Sequence, residues 1–292
     1  MYVDGYVLFL IKITIHWFML RVEPYILLQL TDTHILPDGA VLSGNVDTCA
    51  YLEQAIKQIG RLAVKPQAVL VTGDLVDDGK PQSYRHFRQI FSALDLPLYV
   101  LPGNHDSREH MLEAFPEMAQ DLHLEGTEFI QYVVEFGGVR VIALDTLVPG
   151  KPYGELCAAR LQWLADRLAE KPDQPTIVAM HHPPFNTGVL HMDQMGLVGG
   201  REEFMAVIAK NPQVQRVICG HVHRLCMQSF GGTLAATAPS VAHQLAFQFA
   251  PSEPAGYTFE PAGCLLHLWK APECRVTSHL MALSDYAGPF TF

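Results

Sequence analysis

The chain has 292 residues, of which 49% are hydrophobic and 17% are charged, and its formal net charge is −10. This composition describes a globular protein with a well-filled core and excludes a disordered chain. The negative charge excludes broad electrostatic binding to nucleic acid or to an anionic membrane, so an anionic substrate would need a local source of positive charge. We therefore expect neither a nucleic-acid polymer nor a membrane among its partners.

We interpret residues 1–24 as an N-terminal extension. Its apolar stretch, "YVLFLIKITIHWFML", is interrupted by Lys12 and His16, and it is too short and too broken to span a membrane. Met19 offers a second start, so residues 1–18 are interpreted as a start-site artefact or a loosely attached segment. The six cysteines contain no C-x-x-C pair, which favours reduced thiols and a cytoplasmic protein.

Short apolar runs alternate with segments of helical periodicity along most of the chain. The runs are rich in β-branched and aromatic residues, which is typical of buried strands. This alternation predicts an α/β protein in which helices cover the sheet. The predicted strands are 25–30, 68–73, 98–103, 139–145, 176–182 and 216–221, and the predicted helices are 46–62, 81–94, 158–170 and 201–210.

Two segments depart from the alternation. Residues 129–145 contain two strand-like runs joined at Gly137-Gly138, which predicts a β-hairpin and therefore a mixed sheet. After residue 224 the helical periodicity fades into strands and Pro/Gly loops. We accordingly divide the chain into a core, residues 25–225, and a segment, residues 226–292, of second-sheet strands and a tail.

Five predicted strands each end in a cluster of carboxylate, amide or imidazole side chains. Ligand sites in α/β sheets gather beyond the carboxyl ends of the strands. One such cluster arises readily by chance, whereas five in succession predict a common site. The clusters are Asp32-Thr33-His34, Gly73-Asp74, Gly103-Asn104-His105-Asp106, His181-His182-Pro183-Pro184 and Gly220-His221-Val222-His223.

The residue types in these clusters indicate divalent metals. Asp, Asn and His without Cys suit Mn²⁺, Fe²⁺, Co²⁺ or Zn²⁺. In D-x-H and H-x-H the alternate residues of an extended segment point to the same side, so both can reach one centre. Seven ligands are too many for one tetrahedral zinc, and they fit two metals that share a carboxylate. Such a pair can hold a phosphoryl group and activate water.

The order D-x-H, G-D, G-N-H-D, H-H-P-P and G-H-x-H resembles the calcineurin-like metallophosphoesterase superfamily over residues 25–225. "YVLPGNHD" and "VICGHVH" are similar to its bacterial glycerophosphodiesterase and class III cyclic-nucleotide phosphodiesterase branch. The tail, with "SHLMALSDYAGPF", extends the resemblance nearly to residue 292 and favours the glycerophosphodiesterase. The resemblance implies an α/β fold, a two-sheet β-sandwich flanked by helices. It also implies a C-terminal strand-rich extension that contributes to a homo-oligomer.

The resemblance further implies a role for each clustered residue. The implied ligands are Asp32, His34 and His223 for the first metal, Asn104, His181 and His221 for the second, and Asp74 for both. His182 competes with His181, and we favour His181 because it directly follows the apolar run. His105 is implied to contact the phosphate and assist the leaving group. Asp106 is predicted to orient His105 by accepting its other N–H.

The activity implied by the resemblance is hydrolysis of small phosphodiesters by a metal-bridging hydroxide. Glycerophosphodiesters are the first expected substrates, with 3′,5′-cyclic nucleotides as the alternative and a simple phosphomonoester still open. Two divalent metals are implied, Fe or Mn first, with Co or Zn as alternatives. A metal-binding scaffold without catalysis is the alternative of another class, and the complete ligand set argues against it. The excess of acidic over basic residues disfavours a nuclease.

Three other motifs lie outside the implied ligand set. His191 and His243 lie in loops, and either could line the substrate cleft or simply face solvent. Residues 77–79, Asp-Asp-Gly, are interpreted as a helix-capping turn.

Overall fold

The computed structural model describes residues 23–37, 39–124, 128–288 and 290–291. The predicted N-terminal extension therefore lies outside the described residues, except for its last two. In chain order the strands are β1 (Tyr25–Leu30), β2 (Ala68–Thr72), β3 (Leu98–Leu101), β4 (Tyr132–Phe136), β5 (Val139–Ala143), β6 (Gly154–Glu155), β7 (Thr176–Ala179), β8 (Leu197–Gly199), β9 (Val214–Cys219), β10 (Cys226–Phe230), β11 (Thr233–Thr237), β12 (Gln244–Leu245), β13 (Tyr257–Thr258), β14 (Gly263–Trp269) and β15 (Thr277–Ala282).

Two large sheets form the centre of the molecule, which confirms the predicted two-sheet sandwich. The first sheet has the order β15-β14-β1-β2-β3, in which β1, β2 and β3 are parallel and β14 and β15 are antiparallel. The second has the order β10-β11-β9-β7-β5-β4 and is mixed, because the predicted hairpin β4–β5 is antiparallel beside parallel β5, β7 and β9. Side chains of both sheets share one apolar core.

Helices cover the outer faces of both sheets. Leu52 and Phe87 lie on helices and belong to the core built on the first sheet, whereas Leu164 and Phe204 lie on helices that pack on the second. No helix in the described part of the chain is long and apolar enough to cross a membrane. The helices are α1 (Thr48–Gly60), α2 (Pro81–Phe91), α3 (Arg108–Ala114), α4 (Pro116–Asp121), α5 (Ala158–Glu170), α6 (Leu190–Asp193) and α7 (Arg201–Ala209).

The strands beyond residue 225 differ from the prediction in one respect. β10 and β11 join the second sheet as expected, but β14 and β15 extend the first sheet. β14 pairs with β1 along its length, from Tyr25 opposite Trp269 to Gln29 opposite Leu265. The reason is that β1, whose other neighbour is β2, is buried almost throughout and needs a partner on both edges. The C-terminal segment therefore completes both sheets.

Candidate metal centre

The loops that follow β1, β2 and β9 carry an unusual backbone conformation. A non-glycine residue with positive φ costs on the order of 1–3 kcal/mol and persists only where its surroundings hold it. Backbone hydrogen bonds hold these loops together, from Asp32 N–H to Gly73 O (3.1 Å) and from His34 N–H to Asp74 O (3.0 Å). Of the eight such residues in the described part of the chain, five are predicted metal ligands: Asp32, His34, Asp74, His221 and His223.

Three predicted ligands of the first metal converge at one point. His34 Nε2 lies 3.1 Å from His223 Nε2, and His223 Nε2 lies 3.4 Å from a carboxylate oxygen of Asp32. All three side chains are buried. Asp32 also accepts a hydrogen bond from the backbone N–H of His221 (2.9 Å), which ties the end of the first sheet to the end of the second.

The second group lies beside the first and shares Asp74 with it. His181 Nε2 lies 3.1 Å from Asn104 Oδ1 and 3.2 Å from His221 Nδ1. A carboxylate oxygen of Asp74 lies 3.3 Å from His181 Nε2 and 3.8 Å from His34 Nε2. Asp74 is therefore within reach of both groups. The structure brings all seven predicted ligands together.

The charges within the two groups are strongly coupled. Burial raises the pKa of Asp74, but the neighbouring imidazoles, above all His181, outweigh burial and hold that pKa well below its usual range. The pKa of His181 is lowered by burial but raised more by Asp74, to about 9. Burial and the His34 ring lower the pKa of His223 to about 3. At neutral pH Asp74 therefore keeps its negative charge and His223 stays neutral, so both side chains can donate an electron pair to a cation.

His181 and His182 occupy different environments. The Nδ1–H of His181 donates to Thr72 O at 2.8 Å, which leaves Nε2 facing Asp74 and Asn104. His182 is equally buried, and its Nδ1 lies 2.8 Å from Thr146 Oγ1. Its Nε2 has no hydrogen-bond partner among the described residues. His182 also offers a nitrogen within 4.8 Å of the His181 and His221 nitrogens, yet only His181 contacts Asp74 and Asn104.

The predicted contact between Asp106 and His105 is wrong. Asp106 is buried and accepts hydrogen bonds from Gly103 N–H (2.9 Å), Leu75 N–H (3.2 Å) and Tyr84 OH (2.9 Å). The side chain of His105 is 38% exposed. The physical reason is that three donors inside the fold occupy the Asp106 carboxylate, whereas the His105 ring lies at the surface. Asp106 braces the ends of β2 and β3, and it does not touch the His105 ring.

Asp77 does what was predicted for Asp106. His105 Nδ1 lies 2.8 Å from the backbone carbonyl of Asp77 and 3.3 Å from its carboxylate. The same carboxylate lies 3.1 Å from His34 Nδ1. Asp78, rather than Asp77, serves the helix start, because it accepts from Lys80 N–H and Ser83 OH. The sequence feature that could have placed Asp77 at the site is its position only three residues after Asp74.

His243 lies at the site, whereas His191 is held in its loop. The His243 ring centroid is 4.5 Å from that of His223 and 6.0 Å from that of His34. Its Nδ1 is buried and has no hydrogen-bond partner among the described residues. His191 instead contacts Gln248. His243 is thus the histidine, of the two with undecided roles, that faces the predicted metals.

The donor set fits divalent metals. The Nδ1 atoms of His34 and His223 face acceptors, the Asp77 carboxylate and the carbonyl oxygen of His243. When both rings are neutral, their Nε2 atoms therefore point lone pairs at each other across 3.1 Å, and a cation between them would relieve this contact. In the second group His181 Nε2 and His221 Nδ1 lie 3.2 Å apart. Carboxylate, amide oxygen and imidazole without thiolate suit Mn, Fe, Co or Zn.

Comparison with known proteins agrees with this geometry. The sequence model of the family described as calcineurin-like phosphoesterase matches residues 26–225. The chain is 35% identical over 267 residues to a protein of Arcobacter nitrofigilis named probable glycerophosphodiester phosphodiesterase GpdQ, and the match covers 91% of this chain and 96% of that one. It is 32% identical over 227 residues to 3′,5′-cyclic adenosine monophosphate phosphodiesterase CpdA of Pseudomonas aeruginosa, covering 77% and 78% of the two chains.

A solved structure shares the fold. The dimetal phosphatase from Danio rerio superposes with a TM-score of 0.63 at 17% identity, over 90% of this chain and all of that one. At this identity the likeness concerns the fold alone. Together with the family match over most of the chain, the sandwich and its clustered ligands lead to one conclusion: the chain belongs to the calcineurin-like phosphoesterase family.

Proposed function

We propose that the protein is a metal-dependent phosphodiesterase that hydrolyses small phosphodiesters, with glycerophosphodiesters as its first substrates. The observation that carries this proposal is Asp74, which lies within reach of two groups of buried metal-ligand candidates. An exposed histidine, His105, stands beside it and donates its backbone N–H to Asp74 at 2.8 Å.

Asp32, His34 and His223 would hold one metal, Asn104, His181 and His221 the other, and Asp74 both. When bound, a divalent pair supplies an acidic water as nucleophile and positive charge for the phosphate oxygens. Fe or Mn are our first candidates. The side chain of His105 is 38% exposed, so we place the approach of the diester on the side of His105.

His105 is placed to assist the departure of the alcohol. Its Nδ1 must carry a proton, because the carbonyl oxygen of Asp77 at 2.8 Å can only accept. Nε2 is therefore the atom that can donate to a phosphate oxygen or to the leaving alkoxide when the ring is charged. The Asn104 side-chain N–H₂ adds a donor at the place where negative charge develops.

The length of the matches favours a glycerophosphodiester over a cyclic nucleotide. The match to GpdQ covers 91% of this chain and 96% of that relative, whereas the match to CpdA covers 77% and 78%. The cyclic nucleotide remains the second candidate, because the same metal ligands serve either diester.

All six cysteines are free, which supports a cytoplasmic location.

The test removes metal with a chelator and restores Mn²⁺, Co²⁺, Zn²⁺ or Fe²⁺ separately. Turnover is then measured on glycerophosphoethanolamine, 3′,5′-cyclic AMP and a simple phosphomonoester. We expect metal-restored hydrolysis that is fastest on the first substrate. Asp74→Asn is the matched variant, and it should lose turnover because both metals lose their shared charge.

Three results would decide against parts of the proposal. Dominant hydrolysis of cyclic AMP would replace the first substrate by the second. Dominant hydrolysis of the monoester would exclude a phosphodiesterase. Turnover by Asp74→Asn close to that of the wild type would contradict the shared carboxylate.

A further inference from the structure

A chain of hydrogen-bonded polar groups runs from Ser278, an exposed residue of β15, into the core beneath the metal centre. Ser278 Oγ on β15 lies 2.8 Å from His267 Nδ1 on β14, and His267 Nε2 lies 3.0 Å from Gln29 Oε1 on β1. Gln29 Nε2 then donates to Thr72 Oγ1 (3.0 Å) and to the carbonyl oxygen of Cys219 (2.9 Å). Gln29 and His267 are both fully buried, in surroundings that are otherwise apolar.

The chemistry of the partners fixes the direction of every bond in this chain. The carbonyl of Cys219 can only accept, so the Gln29 amide must present its N–H₂ there and its oxygen to His267. His267 must then carry its proton on Nε2 and accept the Ser278 hydroxyl on Nδ1. Burial, with the charge of Arg216, lowers the pKa of His267 to about 3, so the ring stays neutral and keeps this tautomer.

Gln29 joins the two sheets directly under the ligands. It lies on β1, three residues before Asp32. Thr72 is the last residue of β2, two residues before Asp74, and its carbonyl accepts the Nδ1–H of His181. Cys219 is the last residue of β9, two residues before His221. One side-chain amide therefore bonds to the ends of two strands, one from each sheet.

Both metal groups draw ligands from both sheets. Asp32, His34, Asp74 and Asn104 follow strands of the first sheet, and His181, His221 and His223 follow strands of the second. A small slide of one sheet against the other would separate the ligands of each metal. An apolar side chain at position 29 could fill the space. It could not fix the position of one sheet relative to the other, because dispersion contacts have no fixed direction.

We propose that Gln29, held in orientation by His267, is a positioning residue that sets the spacing between the two halves of the metal centre. The proposal rests on the proposed metal pair, and it adds residues that touch neither metal nor substrate. It requires metal binding to depend on Gln29 and His267 even though both lie outside the ligand set.

The experiment measures Mn²⁺ binding to metal-free protein by equilibrium titration, with electron paramagnetic resonance to detect the coupled Mn²⁺ pair. These readouts do not depend on the substrate, so a wrong substrate assignment leaves them intact. Gln29→Leu should weaken at least one Mn²⁺ site by about tenfold or more and reduce the coupled-pair signal, as loss of outer hydrogen-bond partners does in other metal sites.

Two variants of His267 separate positioning from packing. His267→Leu removes the donor to Gln29 and should weaken Mn²⁺ binding to a similar degree. His267→Gln places an amide N–H near the position of Nε2 and should restore binding to within about twofold of the wild type. If Gln29→Leu fails to fold, this pair of variants carries the test alone.

Gln213→Leu is the matched control. Gln213 is also a buried glutamine, which donates to Leu168 O (3.2 Å) and Asn211 Oδ1 (3.1 Å), but it precedes β9 at the end of the sheet remote from the ligands. It should lower the urea midpoint without changing Mn²⁺ affinity. Unchanged Mn²⁺ binding in Gln29→Leu or His267→Leu, or an equal loss in Gln213→Leu, would overturn the proposal.

Discussion

Asp77 links the two functions of the site through a single side chain. Its carboxylate contacts Nδ1 of His34, a metal-ligand candidate, and its backbone carbonyl holds Nδ1 of His105. A histidine whose Nδ1 is occupied in this way presents Nε2 outward. Asp77 therefore orients both rings, and His105 alone of the two remains exposed to a substrate.

The first prediction concerns His105. His105→Ala should keep both metals, because Nδ1 of the ring bonds to the carbonyl oxygen of Asp77 and not to a predicted ligand, and it should lower kcat by about 10²–10⁴-fold through loss of a proton donor. Stoichiometric metal analysis beside steady-state kinetics checks this. His110→Ala is the control, since His110 lies nearby on α3 and its ring Nδ1 donates to Gly79 O. A large loss of metal in His105→Ala would make His105 a ligand instead.

At the level of the element, the apolar runs predicted the strands well. The runs at 25–30 and 98–103 correspond to β1 and β3, and the helix predicted at 158–170 is α5. These elements are long, or are bounded by clear turn residues, so their hydrophobic patterns can be recognised in the sequence. α3 and α4 were not predicted, because seven and six residues are too few to display a helical period.

The site was predictable wherever the ligands directly follow strands. Asp77 was missed because its contact with His34 spans 43 residues and appears only after β1 and β2 pair. The predicted role of Asp106 was wrong because its carboxylate binds Tyr84 OH and Leu75 N–H, which are 22 and 31 residues away in the sequence. His243 approaches the site from beyond β11, and no pattern in its loop predicts that approach.

The tight contacts between strand ends give a second prediction. A Cβ on Gly103 would lie 2.2 Å from Asp74 Oδ1 and 2.4 Å from Asp74 N, so the Asp74 carboxylate, which we propose holds both metals, would have to move. Gly103→Ala should therefore lose most bound metal and most turnover while remaining folded. Metal content after gel filtration and circular dichroism test this. Gly60→Ala, where a Cβ would meet nothing within 4 Å, should behave as the wild type.

At the scale of the whole molecule, the sandwich explains why the site lies where it does. The parallel strands β1, β2 and β3 end at one edge, and β7 and β9 end at the same edge from the opposing sheet. Each sheet alone provides an incomplete set of ligands. The apolar core between the sheets therefore supports the metal centre directly. The hydrogen bonds through Gln29 fix the position of one sheet relative to the other.

The buried His267 should also make stability depend on pH. Its pKa is about 3 in the folded state, through burial and the charge of Arg216, against about 6.5 in the unfolded chain. Between these values the unfolded state binds more protons, so the folded state loses stability as pH falls from 6.5 toward 3. The contribution of this group is on the order of 5 kcal/mol over the full interval.

The test compares the wild type with His267→Gln, because the other histidines are the same in both proteins and their effects on stability cancel in the difference. Urea unfolding of the metal-free wild type and of His267→Gln is measured at several pH values between 7 and 4. The variant should lose less stability per pH unit than the wild type, so the two curves converge as pH falls. His279→Gln, an exposed histidine of β15, should parallel the wild type. Parallel curves for His267→Gln would mean that His267 is already solvated in the folded state, and that the chain from Ser278 to Gln29 is open to water.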